Sequence, residues 1–269
     1  MADVQLVLIG AGNMGEALLR GVLAAGVMAP ADVAAVEPRA ERRTALGASL
    51  GIAMAADLAA APAAEAYVLA VKPQQMPDVL PVLAGRLPAA GALVISMAAG
   101  ITTRHLAAGL GPAARIVRTM PSTPMLVGRG CTGLCRGPGA TEKDIDLARR
   151  LFTSAGVAVV LDEPALDAVT AVSGSGPAYF FYLIEAIVAA GVAEGLDEAT
   201  ALVLARQTCA GAAELLARGG EPPADLRAKV TSPGGTTQAA ITAMDAAGVK
   251  DAITRAVRAA AARSRELGK

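Results

Sequence analysis

A short apolar run that leads directly into three closely spaced glycines constrains this chain more than any other feature. Val4 to Ile9 is predicted to form a β-strand, and a helical pattern from Glu16 to Ala25 begins after Gly10-Ala11-Gly12-Asn13-Met14-Gly15. In this arrangement the first glycine allows a tight turn, the second lets a phosphate approach the backbone, and the third lets the helix pack closely on the strand. The segment therefore predicts a dinucleotide-binding loop, with an ordinary glycine turn as the alternative.

The chain divides into two parts with different patterns. Apolar runs alternate with helical patterns in the first part, which is typical of βαβ units and of a parallel sheet with helices on its faces. The strands predicted there are Val4 to Ile9, Val33 to Val36, Ala66 to Val71 and Ala92 to Ser96. Beyond about Leu161 every convincing pattern is helical. We therefore expect an α/β, Rossmann-type domain over residues 1–161 and an all-helical domain over residues 162–269.

Charge and hydropathy exclude two classes of partner. With 24 basic and 24 acidic residues and no long run of either sign, the chain lacks the electrostatic footprint of a nucleic-acid-binding protein. The longest apolar stretch, Ala178 to Val192, contains Glu185, whereas a membrane-spanning helix needs about 20 apolar residues. The N-terminus also lacks the basic flank and cleavage site of a signal peptide. We therefore expect a cytoplasmic protein that binds neither nucleic acid nor membrane.

The residues after the second predicted strand bear on the choice of cofactor. Glu37 lies 22 residues beyond Gly15, where an acidic side chain binds a ribose 2'-hydroxyl, and this favours NAD(H). Arg39, Arg42 and Arg43 follow, and arginine accommodates a 2'-phosphate, which favours NADP(H). The arginines are equally compatible with a solvated helix face. We favour NADP(H) and keep NAD(H) as the alternative.

A further cofactor contact is predicted at Ala70-Val71-Lys72-Pro73, where the proline stops a strand at the carboxyl edge of the sheet. Lys72 is the charged residue of this segment, and its alternative role is that of an ordinary surface charge. Open α/β sheets bind ligands at this edge, so the position favours the cofactor contact.

The chain shows no machinery for hydrolysis or metal catalysis. Its single histidine, His105, lies in a polar segment at a predicted helix start and is expected at the surface. The cysteines Cys131, Cys135 and Cys209 lack the partners of a zinc site and are predicted to be structural, so no metal is expected. Hydride transfer needs no such groups, because the cofactor carries the chemistry and the protein supplies position and electrostatics. A nicotinamide-dependent reductase is therefore favoured.

Two loops of small residues stand out in the helical part, namely Ser173 to Pro177 and Thr231 to Thr237. Each precedes a helical pattern, and the second offers hydroxyl and backbone N–H groups at the start of a helix, where a small carboxylate can bind. The alternative is that both are helix caps with glycine turns.

These loops and several other segments resemble pyrroline-5-carboxylate reductases. The resembling segments, in family order, are Ile9 to Gly15, Ala70 to Gln74, Ser96 to Ile101, Arg118 to Pro124, Val172 to Glu185 and Thr231 to Thr237. The resemblance implies NADPH- or NADH-dependent reduction of the cyclic imine L-1-pyrroline-5-carboxylate to L-proline, the last step of proline biosynthesis. It also implies a helical dimerisation domain, intertwined homodimers that can assemble further, and a site that combines one subunit's nucleotide domain with its partner's helices.

The resemblance also implies roles for individual residues. The substrate carboxylate would be held by the Ser232 hydroxyl and by the N–H groups of Gly234, Gly235 and Thr236, with Ser175 as a further substrate contact. Thr237 would be the catalytic residue at the imine nitrogen. Because a threonine hydroxyl is too weak an acid to protonate an amine unaided, it would orient the ring or relay a proton through water.

Most of the predicted cofactor-binding residues follow from the strand–loop–helix pattern. Asp57 stands where many family members place a cofactor-binding asparagine, and its carboxylate would repel phosphate unless it binds a ribose hydroxyl instead. The complete predicted set is Ile9, Gly10, Ala11, Gly12, Asn13, Met14, Gly15, Glu37, Arg39, Asp57, Ala70, Val71, Lys72 and Pro73.

Two other functions compete with this one. β-Hydroxyacid dehydrogenases often carry a similar first loop and a helical second domain, but their chemistry uses a helix lysine, and no lysine occurs between Lys143 and Lys229. A dinucleotide-binding sensor without catalysis is the second alternative, which the specific Thr231 to Thr237 segment disfavours.

Overall fold

The computed structural model describes residues 3–268, and an eight-stranded sheet dominates its first half. The strands are β1 Val4–Ile9, β2 Val33–Val36, β3 Ala53–Ala55, β4 Ala64–Leu69, β5 Ala92–Ser96, β6 Ala114–Met120, β7 Gly130–Arg136 and β8 Gly156–Val160. They lie in the order β3-β2-β1-β4-β5-β6-β7-β8, and the pairing is parallel except between β6 and β7. Strand order reverses beside β1, so the carboxyl ends of β1, β2 and β4 surround one crevice.

The described residues also form eleven α-helices. Their bounds are α1 Asn13–Ala24, α2 Ala40–Leu50, α3 Met76–Ala84, α4 Thr103–Leu110, α5 Glu142–Thr153, α6 Leu166–Val169, α7 Gly176–Ala193, α8 Glu198–Gly219, α9 Pro223–Lys229, α10 Thr236–Ala246 and α11 Val249–Leu267. Strands and helices alternate as far as β8, except that no α-helix separates β3 from β4 or β6 from β7, and only helices follow. The predicted α/β, Rossmann-type fold with a helical second part is confirmed.

Alternating side chains of the central strands build a core on each face of the sheet. In β1, Leu6 and Leu8 belong to one buried cluster, whereas Val7 and Ile9 belong to the other. Successive side chains of a strand point to opposite faces, so a strand covered by helices on both sides must be apolar throughout. This explains why the central strands appear in the sequence as unbroken apolar runs.

Strand prediction succeeded in the apolar central strands and missed those with mixed composition. Three predicted strands match β1, β2 and β5, and the fourth ends at Leu69 rather than Val71. β3, β6, β7 and β8 were not predicted. β6 contains Arg118 and β7 contains two glycines, so neither shows the pattern of an ordinary buried strand, although Arg118 is only 6% exposed.

The described chain forms two compact units, one of residues 3–175 with 260–268 and one of residues 176–259. Within the first unit the end of α11 is fixed by Ser264, whose hydroxyl donates to the Asp167 carboxylate at 2.6 Å. The backbone of Leu267 also lies close to Gly100, whose φ is +76°. Residues 162–175 and the last turns of α11 thus belong to the same compact unit as the sheet. The domain boundary at 161/162 stays a prediction.

A single carboxylate joins three segments of the first unit. Glu163 accepts hydrogen bonds from the Thr103 N–H at 2.7 Å and the Thr103 hydroxyl at 2.6 Å, and its Oε1 lies 2.9 Å from the Arg118 guanidinium. Burial alone would raise the pKa of Glu163, but the Thr103 hydrogen bonds and Arg118 outweigh it and hold the pKa below the ordinary value of 4.5. The buried charge of Arg118 is thereby paired.

The helical unit buries almost none of its own apolar surface. Its buried residues are Gly176, Ala201 and Ala205, which are all small. By contrast, Phe181 is 67% exposed and Tyr182 is 75% exposed. A helix that is apolar on all sides is normally buried, so this unit requires a covering surface.

One helical stretch of the described residues, Glu163–Ala193, is long and apolar enough to cross a membrane by length and composition alone. Its mean hydropathy is 1.5, and 6% of the apolar window is buried. The core helix of a multi-subunit protein has the same composition, and the stretch contains Glu185.

The segment Ser173 to Pro177 is not the loop that the sequence predicts. The chain continues from α6 into a π-helical turn, Thr170–Gly174, and then into α7. The Ser175 N–H donates to the Thr170 carbonyl at 2.8 Å, which is the wide i→i+5 spacing of that turn. Small side chains permit this because Gly174 lies against Met120, where an added Cβ would come within 2.7 Å of Cε.

We predict that Glu163→Gln lowers the free energy of unfolding at pH 7 by roughly 2 kcal/mol, because Arg118 keeps its burial and loses its counter-charge. The folded-state pKa of Glu163 is depressed, so this stabilisation is complete above about pH 4.5 and is lost as the pH falls through the folded value. The difference from wild type should therefore shrink in acid. Urea unfolding at several pH values measures it.

Glu142→Gln is the matched control, since Glu142 pairs with Arg136 at the surface and is 78% exposed. A difference for Glu163→Gln no larger than that of this control would contradict the prediction.

Candidate active site

The glycine loop is shaped by contacts that only glycine allows. Gly10 has φ +96°, and an added Cβ would lie 2.8 Å from Val71 Cγ1. At Gly15 a Cβ would overlap the Gly10 carbonyl oxygen and lie 2.9 Å from Leu8 Cδ2. These two glycines therefore let the loop turn and let α1 approach β1.

Gly12 has a different surrounding, because nothing lies within 4 Å of the position of its missing Cβ. It is the N-cap residue of α1, and no side chain caps the helix there. In α4 and α5, by contrast, Thr102 and Thr141 cap the first turn. The start of α1 thus combines open space with uncapped N–H groups, which fits the pyrophosphate of a dinucleotide.

A cleft of about 530 Å³ opens beside this loop at the carboxyl edge of the sheet, within the ordinary size range of ligand sites. Most of the predicted cofactor-binding residues line it, which brings the loop, the end of β2 and the segment after β4 together. The predicted residues that line it are Ile9, Gly10, Gly12, Glu37, Arg39, Asp57, Ala70, Val71 and Lys72. Ala11, Asn13, Met14, Gly15 and Pro73 do not, and Ala11 is fully buried.

Glu37 and Arg39 form an ion pair at the end of β2. The Glu37 side chain is 4% exposed and accepts from the Arg39 backbone N–H and from its Nε at 2.9 Å. This pairing holds the pKa of Glu37 below its ordinary range, although burial opposes it. The Arg39 side chain is 66% exposed, so its guanidinium is accessible from the cleft.

The other two arginines of this segment are bound to internal acceptors. Arg42 donates from Nε to the Ala11 carbonyl at 2.6 Å and from a terminal nitrogen to Glu16 at 2.8 Å. Arg43 donates to the Glu37 carbonyl at 2.9 Å. Neither lines the cleft, so of the three arginines Arg39 is the candidate for a 2'-phosphate contact.

Asp57 and Lys72 lie on the cleft wall and also serve the local backbone. One Asp57 carboxylate oxygen accepts from the Ala60 N–H at 2.8 Å, which leaves the other for a ligand. The Lys72 N–H donates to Gln75 at 3.1 Å, and Lys72 directly precedes the short 3₁₀ helix Pro73–Gln75. Both side chains are exposed.

The second predicted anion site begins α10 in the helical unit. Gly235 is its N-cap residue and provides no side-chain cap, while Gly234 has φ +72°. The Gly234 N–H donates to the Gln238 side-chain oxygen, and the Gly235 N–H donates to the Ser232 carbonyl at 3.0 Å. Of the three predicted backbone donors, only the Thr236 N–H has no acceptor within residues 3–268.

The side chains of this loop are accessible. Ser232 and Thr236 are exposed, and Thr237, in the first turn of α10, is partly buried. Sequence reasoning missed Gln238. Its side-chain oxygen accepts from the Gly234 N–H, which is one of the donors predicted for the substrate carboxylate. A Gln three residues after an N-cap is a known signal for a side chain that reaches back to the helix start.

The remaining sequence candidates do not line the cleft. His105 is exposed in the first turn of α4. Burial raises the pKa of the Cys135 thiol to about 11, which makes it a poor nucleophile. Within the described residues no cluster of three His, Cys, Asp or Glu side chains could hold a metal ion.

We predict that Gly12→Ala and Gly15→Ala differ in their effects. A Cβ at Gly12 enters open space where a phosphate would lie, so dinucleotide affinity should fall at least about tenfold with an unchanged melting temperature. A Cβ at Gly15 overlaps the backbone, so the melting temperature should fall as well. Calorimetry of NAD(P)H binding and thermal unfolding separate the two effects, and equal behaviour of both variants would contradict the assignment.

Comparison with known proteins identifies the family of this chain. The chain is 42% identical to a pyrroline-5-carboxylate reductase of Synechocystis over 99% of both sequences. It is also 42% identical to one of Pseudomonas aeruginosa, over 99% of this chain and 98% of the relative. The solved structure of a pyrroline-5-carboxylate reductase from Coxiella burnetii matches with a TM-score of 0.93 and 34% identity over 99% of both chains.

A second solved structure, Plasmodium falciparum pyrroline carboxylate reductase with NADP bound, matches with a TM-score of 0.84 and 29% identity over the full length of both chains. Two family models also match. The one described as coenzyme F420-dependent NADP oxidoreductase matches residues 5–100, and the one described as pyrroline-5-carboxylate reductase dimerisation matches residues 163–267. The full-length relatives separate this chain from the β-hydroxyacid dehydrogenases, and it belongs to the pyrroline-5-carboxylate reductase family.

Proposed function

We propose that this chain reduces L-1-pyrroline-5-carboxylate to L-proline with NADPH as the preferred hydride donor and NADH as the alternative. The observation that carries the proposal is that, in a chain of this family, the helices that follow the two predicted anion-binding loops, α1 and α10, begin at glycine N-caps, Gly12 and Gly235, and have no side-chain cap. The first fits a pyrophosphate and the second a carboxylate. The NADP bound to the Plasmodium relative supports NADP(H).

The residues of the first unit hold the cofactor. The N–H groups at the start of α1 bind the pyrophosphate, and Glu37 and Arg39 contact the adenosine ribose and its 2'-phosphate. Asp57 uses its second carboxylate oxygen for a ribose hydroxyl. When bound, the reduced nicotinamide supplies a hydride to the imine carbon, whose π electrons pass to the nitrogen.

The loop before α10 binds the substrate carboxylate. The Thr236 N–H and the Ser232 hydroxyl donate to it directly, and the positive end of the helix dipole adds to the attraction. The Gly234 N–H becomes available when Gln238 turns away, since a carboxylate is a stronger acceptor than an amide oxygen. The Gly235 N–H keeps its bond to Ser232 and shapes the loop.

Thr237 orients the imine and is the catalytic residue of the proposal. Its hydroxyl can donate to the nitrogen or connect it to water, but it is too weak an acid to protonate an amine alone. A substrate that enters as the iminium ion already carries its proton. Thr237 therefore needs to position the ring rather than supply a strong acid, and Ser175 at the start of α7 is a further substrate contact.

We also propose that the chain forms homodimers through its helical unit and that dimers assemble further. A groove of about 600 Å³ between α7 and α8 is lined almost entirely by apolar side chains, among them Phe180, Leu183 and Leu204. The family model for dimerisation covers these helices. A second protein copy rather than lipid then covers α7, and the protein is cytoplasmic.

The reaction is tested by following reduced-nicotinamide absorbance with pyrroline-5-carboxylate and, separately, with 2-oxo and 3-oxo acids. We expect turnover of the imine alone, with NADPH and NADH measured in parallel. No imine turnover with either cofactor would refute the proposed function, and binding of NAD(P)H without any turnover would favour a sensor.

We predict that Thr237→Ala lowers kcat on the imine by at least about tenfold and leaves the Kd of the nucleotide unchanged, because Thr237 contacts the substrate alone. Thr237→Ser keeps the hydroxyl and should retain most activity. Thr254→Ala, which removes a hydroxyl bound to the Lys250 carbonyl in α11, is the control. Equal loss of nucleotide affinity in Thr237→Ala would argue against its role.

Arg39→Ala should raise the Kd of NADPH about tenfold and that of NADH by less than about twofold. Only NADPH carries a 2'-phosphate, and the substitution removes the proposed partner of that group. The remaining Glu37 charge would repel that phosphate and add to the difference. Arg43→Ala is the control, because Arg43 does not line the cleft and donates to the backbone carbonyls of Glu37 and Pro38. If both cofactors weaken equally, Arg39 does not select between them.

Leu204→Asp should convert the dimer into monomers, since Leu204 is 54% exposed in a single chain and lines the groove. Analytical ultracentrifugation gives the mass. Val82→Asp, at an apolar position of α3 in the first unit that is 45% exposed, serves as control. A dimer that tolerates Leu204→Asp would show that the groove is not the interface.

A further inference from the structure

Arg42 connects four parts of the nucleotide unit although it does not line the cleft. From α2 it donates to the Ala11 carbonyl in the glycine loop at 2.6 Å and to Glu16 in α1 at 2.8 Å. Its Nε also lies 3.7 Å from a carboxylate oxygen of Glu37 at the end of β2. The Arg42 side chain is 24% exposed, so these contacts are shielded from water.

The contact with Ala11 fixes more than one atom. A trans peptide unit is planar, and its C=O and N–H bonds point in opposite directions. A carbonyl of Ala11 that points to Arg42 therefore directs the Gly12 N–H away from α2. Gly12 lines the cleft, and within residues 3–268 its N–H has no acceptor.

We propose that Arg42 is a positioning residue for the dinucleotide loop. It holds the Ala11–Gly12 peptide in the orientation that presents the Gly12 N–H to the pyrophosphate, and it ties that peptide to Glu37 at the ribose end of the same cleft. The proposal rests on the proposed function only in that a nicotinamide dinucleotide binds here. It concerns the pyrophosphate, which NADPH and NADH share. Arg39, by contrast, is proposed to contact the 2'-phosphate, which only NADPH has.

The chain offers a close control for the charge of Arg42. Arg20 binds the other oxygen of the Glu16 carboxylate at 2.8 Å, but its remaining hydrogen bond goes to Ser49 and it does not reach the glycine loop. Replacing Arg20 therefore removes the same charge and a bond to the same carboxylate. It leaves the Ala11 peptide in place.

The test compares Arg42→Met, Arg42→Lys and Arg20→Met by calorimetric titration with NADPH and NADH in the absence of imine. We expect Arg42→Met to raise both Kd values by about the same factor, roughly tenfold, as loss of a charge-assisted hydrogen bond would. Arg42→Lys, which keeps one charged donor, should recover part of the loss, and Arg20→Met should resemble wild type.

Two results would overturn the proposal. Unchanged cofactor affinity in Arg42→Met would show that the loop keeps its orientation unaided, and a larger loss for NADPH than for NADH would make Arg42 a phosphate ligand instead. If Arg42→Met fails to fold, Arg42→Lys against Arg20→Lys decides by the same Kd comparison. Because the titration contains no imine, an enzyme that binds NAD(P)H but reduces another substrate would refute the proposed function and leave this result intact.

Discussion

The helices of residues 176–259 cannot bury their own apolar surface, and this constraint governs the organisation of the chain. Side chains as large as Phe181 remain mostly exposed, while the buried positions hold alanine and glycine. Small residues let α7 and α8 approach each other closely, but they bury too little area to stabilise a unit of this size. The homodimer proposed above would supply the missing burial, and folding of this unit would then be coupled to association.

The sheet unit is organised in the opposite way, by a few carboxylates that each accept from several donors. Glu163 binds Thr103 and Arg118, and Glu37 pairs with Arg39 and Arg42. Each of these carboxylates is ionised and largely buried, a state that is stable only while its donors stay in place. On the side of β2 the cofactor cleft is therefore lined by an ion pair, whereas at Gly12 it has open space.

Those parts of the fold whose cause is local were predictable from the sequence. The glycine loop and the central strands follow from residue spacing and apolar runs, and the helix starts at Gly12 and Gly235 follow from glycine and threonine patterns. The missed features depend on partners far along the chain. Arg118 lies in a strand because Glu163 neutralises it, and Arg42 faces the loop because Ala11 and Glu16 meet it there. No local sequence pattern indicates such pairings. The Ser173 to Pro177 segment is helical through a π turn, which its small residues allow but which the same residues would also allow to be a loop.

Residues 260–268 belong to the sheet unit, although they follow the helical unit in the chain. During synthesis the helical unit therefore leaves the ribosome before the nucleotide unit has all of its residues. Ser264 can meet Asp167 only when both have emerged, and until then the apolar helices are exposed while the sheet unit is still incomplete. Completion of the nucleotide unit therefore waits for the last turns of α11, which follow the helices of the association surface in the chain.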